Sequence, residues 1–137
     1  MPIRSPWMRY AAADEGREYL AMVSYFRLDG IGAMPRFLWN VLRVGRQLGR
    51  SEGLVCYSTG ARLGSLEFWS VTVWEDERAL MGFVRASPHS EIMEEMRPRV
   101  RRSEFVRWEI GGSDVPPDQR EAEGLLRRKL AAGDLTA

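Results

Sequence analysis

A second cysteine is missing, and so is a second histidine. Among 137 residues only Cys56 and His89 offer a thiol and an imidazole. No internal disulfide can form, and a dedicated zinc cluster, which needs several such side chains, is excluded. Neither sign of charge dominates: 20 basic and 19 acidic side chains leave a net charge of +1, so no bulk field selects nucleic acid or an anionic membrane. No apolar run approaches the roughly 18 to 20 residues of a membrane span, and the N-terminus lacks the apolar stretch of a signal peptide. Short-period repeats and low-complexity tracts are absent. No G-x-G-x-x-G or phosphate-loop pattern follows a strand candidate, which argues against nucleotide and dinucleotide ligands. The expectation is one globular domain in a reducing cytoplasm, with a hydrophobic content of 45% that is ordinary for such a domain.

What is present centres on residues 66–96, LEFWSVTVWEDERALMGFVRASPHSEIMEEM, where the hydrophobic period changes twice. From Leu66 to Trp74 the residues are β-branched or aromatic on both alternating faces, which predicts a central strand. Asp76 can cap a helix carrying Ala79, Leu80, Phe83 and Val84 at helical spacing. Ser87-Pro88 then reads as an N-cap followed by proline at the first helical position, starting a second helix with His89, Ile92, Met93 and Met96 on one stripe.

Around this stretch the chain divides into three. Residues 1–19 mix Pro, Gly and charges without a period and read as an extension that Trp7, Met8 and Tyr10 could anchor. Residues 20–112 make the domain. Leu20–Leu28 is a strand candidate, and a helix over residues 33–49 carries Met34, Phe37, Leu38, Val41, Leu42, Val44 and Leu48 as a broad apolar stripe beside Arg36, Arg43, Arg46 and Arg50. Residues 53–59 form a strand that turns through Gly60–Gly64 into the central one, and residues 103–110 form a last strand with Val106, Trp108 and Ile110 on one face. Residues 113–137 hold a proline-led helix with Ala122, Leu125, Leu126 and Leu130 on one side, expected to lie on the domain or on a neighbouring subunit. Strand, helix, strand, strand, helix pair, strand is a ferredoxin-like split βαβ order: an α+β fold with a four-stranded antiparallel sheet and helices on one face. The other face would be an apolar patch in water, so a homodimer burying sheet against sheet is expected.

The segment from Trp69 to Phe105, with its strand ending in W-E-D-E, its A-L-x-x-F helix, its S-P-H turn and its final aromatic strand, resembles the dimeric α/β-barrel superfamily. Within it, antibiotic-biosynthesis-monooxygenase-type and spheroidene-monooxygenase-like domains of bacteria are the nearest likenesses. The resemblance implies a dimeric barrel, and an activity drawn from cofactor-free quinol and anthrone oxygenases, haem-handling proteins, polyketide cyclases or members without activity. The haem-degrading pattern is not met. Aligned on Trp74-Glu75-Asp76-Glu77, its Asn, Trp and His positions hold Val23, Phe83 and Met93. His89 instead resembles the histidine of the S-x-H turn in the haem-associated group, which keeps haem as an alternative.

His89 leads the candidate chemistry. At a helix start it should stay neutral, and a neutral imidazole can take a proton or ligate a metal. A cofactor-free oxygenase needs such a base, because the substrate anion itself reduces dioxygen. In the bland reading His89 only satisfies a backbone carbonyl beside the core. Tyr25, Tyr57, Trp69, Trp74, Phe83 and Met93 could wall a pocket for a planar hydrophobic ligand, or could be core. Glu67 is out of pattern in an apolar strand; facing a pocket, its pKa would rise, whereas at a strand end it would pair with Arg62 or Arg107. The arginines at 97, 99, 101 and 102 are offset by Glu91, Glu94, Glu95 and Glu104 and read as a solvated surface. The leading expectation is a cofactor-independent monooxygenase acting on an aromatic or polyketide-like compound. The alternatives are a haem protein with His89 as axial ligand, a non-oxidative cyclase or isomerase, and a non-enzymatic dimer.

Overall fold

The computed structural model describes residues 2–136, and side chains for residues 2–133. Its strands are β1 (Ile3–Arg4), β2 (Met8–Arg9), β3 (Glu18–Leu28), β4 (Leu54–Arg62), β5 (Glu67–Trp74) and β6 (Val100–Gly111). Its helices are α1 (Met34–Gly49), α2 (Glu77–Arg85), α3 (His89–Met96) and α4 (Gln119–Thr136). The sheet is antiparallel throughout, in the order β1-β4-β5-β3-β6, with β2 also pairing with β4. Its four long strands follow the ferredoxin-like order expected from the sequence.

The sheet has six strands rather than four. The residues read as an aperiodic extension include two-residue strands, with Ile3 opposite Ala61 and Met8 opposite Tyr57. Two residues are too few to show a hydrophobic period, so pairing to a strand fifty positions away left no local signal. Their pairing covers the edge of β4, which would otherwise expose backbone donors and acceptors.

Alternation in β5 divides the core. Trp74 packs beneath the helices with Leu48, Leu54, Leu80 and Phe83, while Trp69 and Val71 point the other way, against Val23, Tyr25, Ala122 and Leu126. Asp76 caps α2 as expected, accepting from the Ala79 N–H at 2.8 Å. Ser87 does not cap α3. Its hydroxyl donates to Glu91 at 2.7 Å, and Pro88 holds the cap position after a cis peptide bond.

Two expectations are corrected here. The inward side of α1 carries Phe37, Asn40, Val44, Gln47 and Leu48, while Leu38, Val41 and Leu42, placed in the core-facing stripe from sequence, are exposed. A stripe of apolar residues too broad for one contact has to leave part of itself in water. The sheet's outer face, assigned to a second copy, is covered over much of its area from within the chain. Ala122, Leu126 and Leu130 of α4 and Trp7 of the extension pack on it. Bidentate contacts from Arg4 to Glu123 at 2.6 and 2.7 Å, and Gln119 Nε2 donating to the Ser5 carbonyl at 2.9 Å, fasten α4 to the extension. Among the described residues, no helix is long and apolar enough to cross a membrane.

Candidate functional site

The break between α2 and α3 is held by one buried side chain. Gln47 Nε2 donates to the Phe83 carbonyl at 2.9 Å, and Gln47 Oε1 accepts from the His89 N–H at 2.8 Å. The His89 N–H opens α3, where intrahelical partners run out, so α1 supplies its acceptor; the Phe83 carbonyl, which already accepts from the Ala86 N–H at 3.2 Å, takes Gln47 as a second donor. His89 is thereby fixed at the first position of α3. Its Nδ1 lies 3.1 Å from the Val84 carbonyl; since the carbonyl can only accept, the proton sits on Nδ1 and Nε2 keeps its lone pair. Burial lowers its pKa, and the bond to Val84 offsets this only in part. The neutral state expected from the sequence therefore holds, with desolvation as its main cause.

The imidazole packs on Phe83 with ring centroids 4.7 Å apart, and Phe83 packs on the fully buried Trp74 at 5.2 Å. In the same layer, three buried polar atoms have no partner: Asn40 Nδ2, Thr72 Oγ1 and Trp74 Nε1. Thr72 and Trp74 are successive helix-facing residues of β5, and Asn40 lies two turns before Gln47 on the inward side of α1. Buried polar groups without partners are few in folded proteins and each costs free energy.

The expected site residues do not form one group. The sheet separates Tyr25, Glu67 and Trp69, on its outer side, from His89, Trp74 and Phe83 beneath the helices. Tyr57 is half-buried at the β4 edge, stacked on Tyr10 with centroids 6.1 Å apart; burial and Tyr10 hold its pKa above the usual phenol value. Met93 is half-buried on α3, outside the clusters that fill the layer.

On the outer side, Tyr25 donates to Glu67 Oε2 at 2.6 Å and the Ser65 hydroxyl donates to Glu67 Oε1. Burial pushes Glu67 up, but the bonds from Ser65 and Tyr25 and the charges of Arg62 and Arg27 outweigh it, so its pKa is lowered. Of the two expectations for Glu67, the raised pKa does not hold, whereas the charge of Arg62 does act on it: Glu67 is an ionised acceptor. Tyr25, raised by burial and by Glu67, stays a phenol. The Trp69 indole lies over Gly60, where an added Cβ would come within 2.3 Å of Nε1, and the Arg62 guanidinium sits 5.9 Å from the indole centroid. These residues, with Glu123, Leu126, Arg127 and Leu130, enclose about 20 Å³ beneath α4, room for roughly one water.

A larger cavity of about 420 Å³ lies between residues 9–13, Val55, Cys56, Val115 and Pro116. Its thiol is buried, which pushes the Cys56 pKa up to about 11, and a protonated thiol is a poor nucleophile. Neither cavity is lined by His89, and the packing of His89 on Phe83, itself seated on Trp74, does not fit a haem, so no step is routed through one. Asn40, Thr72 and Gln47 were not singled out in the sequence. The signal that could have found two of them is the interruption of an apolar helix face at positions 40 and 47, seven residues apart.

No protein-family model and no curated protein matches the chain. Solved structures do. The chain resembles SnoaB, a cofactor-independent oxygenase from Streptomyces nogalater, at 17% identity and a TM-score of 0.56, covering 66% of this chain and 91% of that one. It resembles an antibiotic biosynthesis monooxygenase at 12% identity and 0.60, covering 65% and 95%. A dimeric ferredoxin-like protein of unknown function from Thermobifida fusca matches at 17% and 0.55, covering 69% and 92%. Two longer proteins, from Fusobacterium nucleatum and Lactobacillus acidophilus, are matched over only 43% and 49% of their own lengths. The chain thus has the ferredoxin-like fold of the antibiotic-biosynthesis-monooxygenase-type proteins.

Proposed function

We propose that the chain is a small-molecule oxidoreductase of the cofactor-independent monooxygenase type, acting on a phenolic or polyketide-like aromatic compound. The observation that carries this reading is unspent polarity in the helix-covered layer: among the described residues, Asn40 Nδ2, Thr72 Oγ1 and Trp74 Nε1 are buried there without partners, in the same layer as His89. A planar ligand with a carbonyl or phenolate oxygen would give those donors a use. His89 Nε2 takes the acidic proton of the substrate. The resulting anion passes an electron to dioxygen, and the two radicals combine into a peroxide. Loss of water then leaves a carbonyl: a CH₂ is oxidised to C=O, one oxygen atom enters the product and the other departs as water.

The aromatic side chains that fill this layer favour a second reading, a dimer without chemistry. Oxygen-electrode measurements with a hydroxyanthrone, comparing wild type with His89→Gln, separate the two. Oxygen consumption matched to quinone formation, lost by at least about a hundredfold in His89→Gln, supports the oxygenase. No consumption by the wild type with anthrones, naphthols or quinols removes it, and turnover undiminished without dioxygen assigns a cyclase or isomerase instead.

A further inference from the structure

The balanced total charge conceals a local imbalance. From Gly30 to Ser51 the chain has no aspartate or glutamate, while Arg36, Arg43, Arg46 and Arg50 stand on α1 or at its end. The same segment carries the two most exposed large apolar side chains among the described residues: Ile31, in the 3₁₀ turn that leads into the helix, at 78%, and Leu42 at 63%. Leu38, Trp39 and Val41 are exposed beside them. Scattered apolar side chains are normal on a surface, but four on one helix and a fifth on its approach form a patch.

The two sets are sorted into neighbouring stripes. Ile31, Leu38 and Leu42 follow at intervals of seven and four, and Arg36, Arg43, Arg46 and Arg50 at seven, three and four, so each set runs along the helix on a side of its own. Trp39, three residues before Leu42 and four before Arg43, stands on the boundary between them. Arg36 pairs with Glu95, and Arg43 donates to Asn40 Oδ1 at 3.2 Å. Arg46 and Arg50 are exposed and make no ion pair among the described residues; Asp29 and Glu52 lie just beyond the two ends of the segment. Towards the C-terminal end of α1 the patch continues onto the N-terminal extension. Gly45 and Gly49 leave room there for Tyr57 and Tyr10, an added Cβ lying 3.6 Å from the Tyr57 hydroxyl and 3.7 Å from Tyr10 Cε1, and Tyr10 is itself exposed.

From this arrangement we infer that α1 docks lengthwise on an anionic lipid bilayer, with Ile31, Leu38, Trp39 and Leu42 entering the boundary between headgroups and acyl chains and Arg46 and Arg50 reaching lipid phosphates. An apolar stripe beside an arginine stripe with no acid in it is the pattern that a helix lying in the interface plane requires. Trp39 and Tyr10, each with an apolar body and a polar tip, suit that depth. The exposed arc of a helix is convex and neither cavity lies on it, so a flat, fluid surface fits it without a groove on either side. Because α4 and Trp7 pack on the opposite side of the sheet, α1 meets a bilayer without displacing any part of the chain. The docking is independent of the oxygenase reading.

Flotation of the full chain with vesicles tests it. The wild type is expected to float with vesicles of equal parts phosphatidylcholine and phosphatidylglycerol, not with phosphatidylcholine alone, and to be released by added sodium chloride. Leu42→Glu abolishes binding with unchanged far-UV circular dichroism. Arg46→Gln and Arg50→Gln each weaken it about fivefold, while Arg120→Gln/Arg128→Gln, on α4 across the sheet, leaves it as it was. Brominated acyl chains quench tryptophan fluorescence in the wild type and much less in a Trp39→Phe variant that still binds, which decides the matter should Leu42→Glu fail to fold. Failure to float with the anionic vesicles, an equal loss in the α4 variant, or quenching that Trp39→Phe leaves intact would overturn the proposal. A dimer without affinity for vesicles, split by Leu42→Glu, would overturn it too and assign the face to a second copy.

Discussion

Arg4 and Glu123, 119 positions apart, meet in a two-pronged ion pair whose carboxylate is almost wholly buried while the guanidinium reaches the surface. Through it the first strand and the last helix form one cover over the sheet. Arg4→Ala would leave Glu123 buried and unpaired, costing about 1–3 kcal/mol. Arg4→Met/Glu123→Leu would recover most of this, since matched apolar replacements leave no orphaned charge. Urea unfolding of the wild type and the two variants measures both; equal losses in the single and the double variant would refute the coupling.

Gly60 and Trp69 face each other across β4 and β5. A Cβ at position 60 would lie 2.3–2.6 Å from three indole atoms, so Gly60→Ala must displace the ring from beneath α4. A loss of about 1–3 kcal/mol is expected from overpacking. Trp69→Leu in the same chain should shrink the penalty of the alanine, which a thermal unfolding cycle on the four proteins would reveal.

Gln47 serves three backbone groups at once, the Phe83 and Ala86 carbonyls and the His89 N–H. Its replacement by Met, nearly equal in volume, orphans the His89 N–H, while the Phe83 carbonyl keeps the Ala86 N–H, and should cost about 1–3 kcal/mol. The imidazole resonances of His89 should shift with it, because the same bonds set the start of α3. Unchanged stability and an unchanged His89 spectrum in Gln47→Met would contradict this role.

Stability should also depend on pH through His89. Its folded pKa lies below the ordinary 6.5, so near that pH the unfolded chain binds the proton more readily. The contribution is complete above the unfolded value and declines as pH falls through about 6.5 towards the folded value. Melting temperatures of wild type and His89→Gln between pH 8 and 5 should converge on acidification, the wild type losing more.

Cys56, with its thiol held near 11 by burial, should resist alkylation at pH 8 in the native protein and react fully in urea. Native labelling within minutes would show that the cavity beside it admits reagents to the sulfur.

The regular elements were legible because they repeat. Alternation in residues 67–74 and helical spacing in 77–96 are local signals, and the strand and helix bounds differ from expectation by a few residues. Which side of α1 faces inward was not local. Leu38, Val41 and Leu42 look as core-like as Phe37 and Val44, and the choice is made by Asn40 and Gln47, polar residues whose burial depends on partners elsewhere in the chain. The candidate site was half legible for the same reason. His89 and Phe83 share one face of the helix pair, and alternation along residues 66–74 already sets Trp69 opposite Trp74, whereas Tyr25 joins Trp69 through a pairing register that a sequence does not display. Glu67 was read either as raised by burial or as paired with Arg62 or Arg107, and the hydroxyls of Ser65 and Tyr25, which no local pattern shows, join Arg62 and Arg27 in lowering it.

The clasp between the two ends also constrains how the chain is made. A ribosome delivers β3, β4 and β5 well before α4, and the ring that Arg4 and Glu123 close can form only after nearly all the intervening chain has emerged. Until then the side of the sheet holding Val23, Val71 and Trp69 stays wet, and a nascent chain in that interval offers neighbouring polypeptides a sticky, half-finished surface. Yield from overexpression should therefore respond to growth temperature and chaperone supply more than the stability of the finished molecule would suggest.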